Sequence, residues 1–195
     1  MKLSFFILKK LYLKEKKSVF EIAGLLKCSE SKVNYWIRKY KIPKRSISDA
    51  IYIKHNPKGD PFRVNMPKNL EETKLFGLGL GLYWGEGNKA NKNSIRLGNT
   101  DPKLIKNFIE FLIKFFSIKK SDLKFGLQIF SDIDVEVALD FWVKMLKIKK
   151  DQIGKPIITK SGSIGTYRKK SEYGVMTVMY HNKKMRNLLI DMLPM

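Results

Sequence analysis

The hydrophobic pattern of the chain is most unusual between Lys74 and Lys89, which read KLFGLGLGLYWGEGNK. Alternation of glycine and leucine over residues 77–82 would suit a strand with one bare face. Read as a helix, the stretch places Gly77, Gly81 and Gly85 on one line. We favour the helix, because a second backbone packed on that line would offset the roughly 4 kcal/mol that four internal glycines cost. The pattern therefore predicts a helix paired with a second copy of the chain across a two-fold axis.

Apolar residues at helical spacing predict three helices in the first 46 residues. The first extends over residues 3–13. Ser18, with Glu21 three residues on, forms a capping box ahead of the second helix, and Ser29 caps the third. A break at Lys27 separates the second and third helices.

The hydrophobic pattern of residues 70–195 predicts a mixture of helices and strands. After the glycine-rich helix we expect a strand over 94–97, a helix over 102–116, a strand over 123–130, a helix over 135–146, strands over 156–159 and 174–180, and a helix over 183–193. This order indicates an α+β domain, for which we expect an antiparallel sheet. Two prolines and a glycine in Asn56–Phe62 are a strong turn signal. The predicted organisation is a helical domain over 1–46, a linker over 47–69 and an α+β domain over 70–195.

The net charge of the chain indicates which class of partner it binds. The chain has 39 Lys and Arg against 18 Asp and Glu, a formal net charge of +21. Such an excess is typical of a protein that binds a polyanion, and nucleic acid is the partner we expect. The single cysteine, Cys28, excludes an internal disulfide framework and a cysteine-based zinc site. No apolar run approaches 18 residues, so we expect no membrane partner and a cytoplasmic, nucleoid-associated protein.

The second and third predicted helices resemble the helix-turn-helix family of DNA-binding units. The apolar positions of that family's pattern are filled by Ile22, Leu26, Cys28, Val33 and Trp36. Ala23 is the small residue where the two helices would cross. Lys27 departs from the family because it stands where a turn glycine is usual, so it would have to adopt a left-handed conformation.

This resemblance implies that the third helix lies in the major groove of double-stranded DNA. Its outward residues are Ser29, Ser31, Lys32, Asn34, Tyr35 and Arg38. Asparagine can pair with adenine and arginine with guanine. Four further cations are expected near phosphates, where they position the protein without reading sequence: Lys39, Lys41, Lys44 and Arg45.

The segment Gly79–Gly87, GLGLYWGEG, resembles the nine-residue motif of the LAGLIDADG homing endonucleases. Gly81 and Leu82 match its Gly-Leu pair, and Glu86 and Gly87 match its final acid and glycine. The family's first aspartate is replaced by Trp84, and its last aspartate by glutamate. The resemblance covers residues 70–195.

The LAGLIDADG resemblance implies a homodimer whose two motif helices pack together through small residues. Here these are Gly77, Gly81 and Gly85. Each helix would deliver one carboxylate, Glu86, to a divalent ion beside the scissile phosphates, with the Gly85 carbonyl as a further ligand. Mg²⁺ is the expected ion, since it favours hard oxygen ligands and phosphate. Glu86 is thus the candidate catalytic residue of a metal-assisted phosphodiester hydrolysis.

Additional DNA contacts are expected from Gln128 on a predicted strand and from basic residues ahead of the last strand. The latter include Lys155, Arg168 and Lys169. Two functions compete for the whole chain: a dimeric DNA endonuclease, and a regulator of transcription that binds DNA through the same fold without cutting. An acid at position 86 favours cleavage. The change from aspartate to glutamate, and the lack of a lysine matched to the family, favour regulation.

Overall fold

The structure is a computed structural model that describes residues 2–161 and 171–194. Within these ranges it contains eight α-helices and one four-stranded sheet, which confirms the predicted α+β class. The chain divides into two compact units, Met1–Pro61 and Phe62–Met195. The division falls inside the stretch predicted as a linker. None of the helices in the described ranges is long and apolar enough to cross a membrane.

The first unit is helical. Its helices are α1 (Phe5–Lys9), which continues as a π-helical turn (Lys10–Lys14), α2 (Val19–Leu25), α3 (Glu30–Lys39) and α4 (Ile47–His55). The predicted capping box of Ser18 and Glu21 is confirmed, and Ser29 accepts the backbone N–H of Lys32. The sequence did not predict α4, which Ser46 caps.

A small core holds the first three helices together. Leu8, Ile22, Val33 and Ile37 are all buried in it. Between α2 and α3 the chain turns at Lys27, whose φ is 47°, as expected for a turn residue at that position. The turn is tight because the N–H of Lys27 donates to the carbonyl of Gly24.

The second unit contains every element that the pattern predicted. These are α5 (Leu70–Glu86), β1 (Ile95–Asn99), α6 (Pro102–Phe116), β2 (Lys124–Phe130), α7 (Val135–Leu146), β3 (Ile157–Thr159), β4 (Val175–Tyr180) and α8 (Lys183–Asp191). The glycine-rich stretch is therefore a helix and not a strand. Its first turn is capped by Asn69, which accepts the N–H of Glu72.

The expected antiparallel sheet is only partly correct. The strand order is β1-β4-β2-β3, and β4 is antiparallel to both of its neighbours. However, β3 runs parallel to β2. The reason is the connection between them: α7 carries the chain back along the sheet, so β3 starts from the same end as β2.

The two faces of the sheet differ sharply. One face is buried by the helices and forms the core with them; its strand residues are Ile95, Leu97, Phe125, Leu127, Ile129, Met176, Val178 and Tyr180. The alternate residues of β1, β2 and β4 are half-buried or exposed. Because successive side chains of a strand point to opposite faces, the second face is left open.

Helix α5 packs on α6 through one glycine outside the expected line. Gly79 is buried, and a Cβ at that position would lie 2.1 Å from Cγ of Phe111. At Gly77, Gly81 and Gly85 a Cβ would meet no atom of the described residues within 4 Å. Within one chain, the glycine line therefore faces outward.

We predict that Gly79→Ala lowers the free energy of unfolding by about 1–3 kcal/mol, because the added methyl group overpacks the contact with Phe111. Urea unfolding followed by circular dichroism measures the change. The matched control is Gly77→Ala, in the same helix but in open space. At a concentration where the chain is monomeric, the control should stabilise by up to about 1 kcal/mol through helix propensity. Equal effects of the two variants would contradict the packing described here.

Candidate nucleic-acid interface

Helix α3 presents a polar face opposite the core of the first unit. Val33 and Ile37 are its buried residues. Ser31, Tyr35 and Arg38 lie on the other side of the helix and are exposed. Of the remaining predicted contacts, Ser29 and Lys39 are exposed, and Lys32 and Asn34 are half-buried. The structure thus brings most of the expected residues of this helix to one accessible surface.

Aromatic rings hold Lys39 in place on this helix. Its Nζ lies 5.0 Å from the ring centroid of Trp36 and 5.6 Å from that of Tyr35. Nζ is also 3.4 Å from the hydroxyl oxygen of Tyr35. Cation–π contacts of this kind restrict a lysine that would otherwise move freely. The charge of Lys39 is therefore presented at a defined place beside the exposed face.

Arg45, one of the cations expected near phosphate, makes hydrogen bonds within the first unit. Its guanidinium donates to the carbonyl oxygens of Tyr12 at 3.0 Å and of Lys16 at 2.7 Å, and also to that of Lys17. The guanidinium carbon lies 4.2 Å from the ring centroid of Tyr12. The planar guanidinium presents five donors in a fixed fork, so it can satisfy several carbonyls with little loss of side-chain freedom. Arg45 therefore ties the segment after α3 to the end of the π-helical turn.

Glu86 is the last residue of α5 and is exposed. No ion pair within the described part of the chain involves its carboxylate. The carbonyl end of a helix carries partial negative charge, so the carboxylate and the helix dipole together favour a cation. One cation already lies at this helix end, because Nζ of Lys89 donates to the carbonyl oxygen of Trp84.

A metal at this helix end would need more ligands than one chain supplies. In the described ranges, no group of three or more His, Cys, Asp or Glu residues is placed to hold an ion. One chain offers the carboxylate of Glu86 and the carbonyl of Gly85. Mg²⁺ in nucleic-acid enzymes is usually held by one or two carboxylates, with phosphate oxygens and water completing the octahedron. The donor set therefore fits Mg²⁺ only as half of a site that a second copy and a phosphate would complete.

The loop after Glu86 is held rigidly by hydrogen bonds. Oδ1 of Asn91 accepts the backbone N–H of Ser94 at 2.9 Å. Arg186, on α8, donates Nε to the carbonyl of Asn91 at 3.0 Å and a terminal N–H to the carbonyl of Lys89. Lys89 and Lys92 are thus carried on a braced loop beside Glu86. Sequence reasoning missed Arg186, because nothing local links α8 to this loop.

The open face of the sheet carries a second basic cluster that the sequence analysis did not identify. Arg96 on β1 and Lys124 on β2 both pair with Met179 of β4, so they flank it on adjacent strands. His181 follows two residues after Met179. Partial burial lowers the pKa of His181, and the charges of Arg96 and then Lys124 lower it further. The imidazole therefore experiences a positive field at this end of the sheet.

The other predicted contacts of the second unit are scattered. Gln128 is exposed on the open face, where its Nε2 donates to Oγ1 of Thr159 at 3.3 Å. Lys155 is exposed in the loop before β3. Arg168 and Lys169 lie outside the described residues.

Comparisons with known proteins identify no protein similar to this chain. No family model matches the chain, and neither a curated protein nor a solved structure matches it.

We predict that Arg45→Lys destabilises the first unit by about 1–3 kcal/mol. The substitution keeps the charge but loses the fork that satisfies the three carbonyls. Thermal unfolding measured by circular dichroism tests this. Arg38→Lys is the matched control, because Arg38 is exposed and takes part in no ion pair among the described residues. If both variants unfold like the unmodified chain, the proposed role of Arg45 is wrong.

Proposed function

We propose that the chain is a site-specific binding protein for double-stranded DNA, with α2 and α3 acting as a helix-turn-helix. The observation that carries the proposal is the exposed polar face of α3, directly after the tight left-handed turn at Lys27. A helix that enters the major groove needs a projecting polar side and a short connection to the helix that supports it. Ser31 and Tyr35 are the exposed residues of α3 that would reach base edges, with Arg38 as a cation beside them.

Electrostatics support a polyanionic partner. Residues 1–46 contain thirteen Lys and Arg and three Glu, so they carry +10 of the chain's net charge of +21. Contacts with phosphates supply most of the sequence-independent affinity for DNA, and each neutralised phosphate makes binding more sensitive to salt. Within the second unit, the open face of the sheet carries Arg96, Lys124 and Gln128, which also suit a polyanionic partner.

A first prediction tests α3 as the reading element. Ser31→Glu places a negative charge at the centre of the exposed face and should raise the Kd for duplex DNA at least about tenfold, because like charges at an interface cost several kcal/mol. The fold should be unaffected, since an acid in the first turn suits the helix dipole. Fluorescence anisotropy with a duplex selected from a random pool measures the Kd.

Ser48→Glu is the matched control for this test. Ser48 is also exposed and occupies the same second position of a helix, α4, in the same unit. Its substitution changes the net charge by the same amount and should alter the Kd by no more than about threefold at fixed salt. If the two variants lose affinity equally, net charge and not α3 governs binding.

We further propose that the second unit is LAGLIDADG-like and forms a homodimer through the outer face of α5. The outward glycines Gly77, Gly81 and Gly85 let a second backbone approach closely. Leu78 and Trp84 flank that line and are 44% and 52% exposed. Covering these side chains would remove apolar surface from water, which favours association.

In such a dimer, two copies of Glu86 meet at the ends of the paired helices, and Mg²⁺ with a scissile phosphate would complete the coordination. The function supported is then Mg²⁺-dependent cleavage of DNA by hydrolysis of a phosphodiester bond. The alternative is a regulator that keeps the fold for DNA binding only. It is favoured by the donor set at Glu86, since the described part of one chain offers no group of three or more metal-binding side chains.

One pair of variants separates these functions. Gly81→Leu should leave the monomer folded, because Gly81 is exposed and a Cβ there would meet no described atom within 4 Å, but should block the dimer and abolish any cutting. Glu86→Gln should preserve the dimer and duplex binding, yet lower the cleavage rate by about 10²-fold or more through loss of the metal ligand. Sedimentation and a plasmid-nicking assay with Mg²⁺ provide the two readouts.

The outcomes discriminate clearly. Cutting that survives Glu86→Gln would exclude Glu86 as the catalytic carboxylate. Duplex binding by the unmodified chain without any nicking would exclude the endonuclease and leave the regulator as the remaining proposal. A Gly81→Leu variant that still dimerises would show that the glycine line is not the interface.

A further inference from the structure

A pocket of about 270 Å³ lies beside the second half of α3, within the first unit. Its lining residues are Asn34, Ile37, Arg38, Lys41, Ile42 and Lys44. Ile37 and Ile42 are buried and form an apolar floor. The volume is several times the roughly 30 Å³ that one water occupies in the liquid. The pocket therefore has room for a polyatomic ligand.

A buried polar atom borders this pocket. Oδ1 of Asn34 is buried and has no hydrogen-bond partner within the described part of the chain. Leaving such an atom unpaired costs about 1–3 kcal/mol, so it is normally satisfied by protein, water or a ligand. Asn34 as a whole is half-buried and lines the pocket. Its side-chain amide carries two N–H donors, which an acceptor in the pocket can use.

The charge around the pocket has one sign. Arg38, Lys41 and Lys44 are exposed cations on its wall, and none of the described residues that line it is a carboxylate. None of the three takes part in an ion pair among the described residues. Lys41 is held in a left-handed conformation, with φ of 50°, which turns the chain back over the end of α3. The wall thus offers N–H donors and positive charge without an internal counter-ion.

We propose that this pocket is an oxyanion site that takes a phosphate group, with Asn34 as a donor and Arg38, Lys41 and Lys44 as the counter-charge. Phosphate accepts several hydrogen bonds at once and pairs well with guanidinium and ammonium groups. Asn34 would then bind an anion instead of reading adenine, as the sequence pattern suggested. The source of the phosphate is either the backbone of the proposed DNA duplex or a free phosphate, and only the first rests on the proposed function.

The first experiment uses the full chain without DNA. Inorganic phosphate is titrated at constant ionic strength, and the side-chain amide of Asn34 and the backbone amide of Lys41 are followed by ¹H–¹⁵N NMR. Saturable shifts at both amides are expected. Lys41→Asn should weaken phosphate binding about fivefold, since one of three nearby charges is lost. Asn34→Asp, which is nearly isosteric, should weaken it at least about tenfold by placing an anion in the pocket.

The matched control is Lys27→Asn. Lys27 also has a left-handed backbone, with φ of 47°, and lies in the same unit but not on the wall of this pocket. Asparagine tolerates that conformation, so both lysine variants should fold and both remove one charge. Lys27→Asn should leave the phosphate affinity unchanged. Equal losses in the two variants, or linear shifts without saturation, would overturn the proposal.

A second experiment identifies the source of the phosphate. If a backbone phosphate occupies the pocket, Lys41→Asn should reduce the slope of the logarithm of the duplex affinity against the logarithm of the salt concentration by about 0.9. Free phosphate should then weaken duplex binding more than an inert salt does at the same ionic strength. If the site serves a free phosphate, the amide shift of Asn34 should persist when the chain is saturated with duplex. Either result supports an oxyanion site. If the chain binds no duplex, the proposed function is wrong. The titration without DNA still shows whether the pocket binds phosphate.

Discussion

The close approach of α5 to α6 at Gly79 governs the second unit. Because residue 79 has no side chain, the ring of Phe111 can lie against the backbone of α5. Phe76 adds its ring to the same contact, with its centroid 5.8 Å from that of Phe111. This packing determines the rotation of α5 about its axis. It also turns the glycine line outward. At the end of the helix, the backbone of Gly87 packs on the ring of the buried Tyr83 and forms a bridge to Leu97 of β1.

A different interaction organises the first unit. Here one arginine, Arg45, satisfies backbone carbonyls at the end of the π-helical turn, and its side chain covers the ring of Tyr12. The segment after α3 is thereby held against the N-terminal helix, and α3 is left with one free face. The polar residues of α3 therefore lie in two places. Ser31 and Tyr35 are on the exposed face, whereas Asn34 lines the neighbouring pocket.

The positive charge of the chain is therefore not one uniform surface. Arg45 is used internally, and Lys39 is held over aromatic rings. Arg96 and Lys124 meet on the open sheet face because β4 lies between their strands. Such fixed cations can position a duplex, whereas mobile surface lysines mainly add to a diffuse field. The carboxylate of Glu86 has a fixed place of its own, because Glu86 is the exposed last residue of α5.

Local signals in the sequence determined most of the secondary structure. The caps at Ser18 and Ser29, the helical spacing of apolar residues and the alternation in the strands act over a few residues, so they can be read without the fold. The arrangement of elements could not be read in this way. The parallel pairing of β3, the meeting of Arg96 with Lys124, the brace from Arg186 and the choice of Gly79 as the packing glycine all depend on contacts between residues far apart in the chain. Sequence pattern sets which side chains each element offers, but only tertiary packing decides which of them share a surface, because that choice follows from the rotation and register of whole elements.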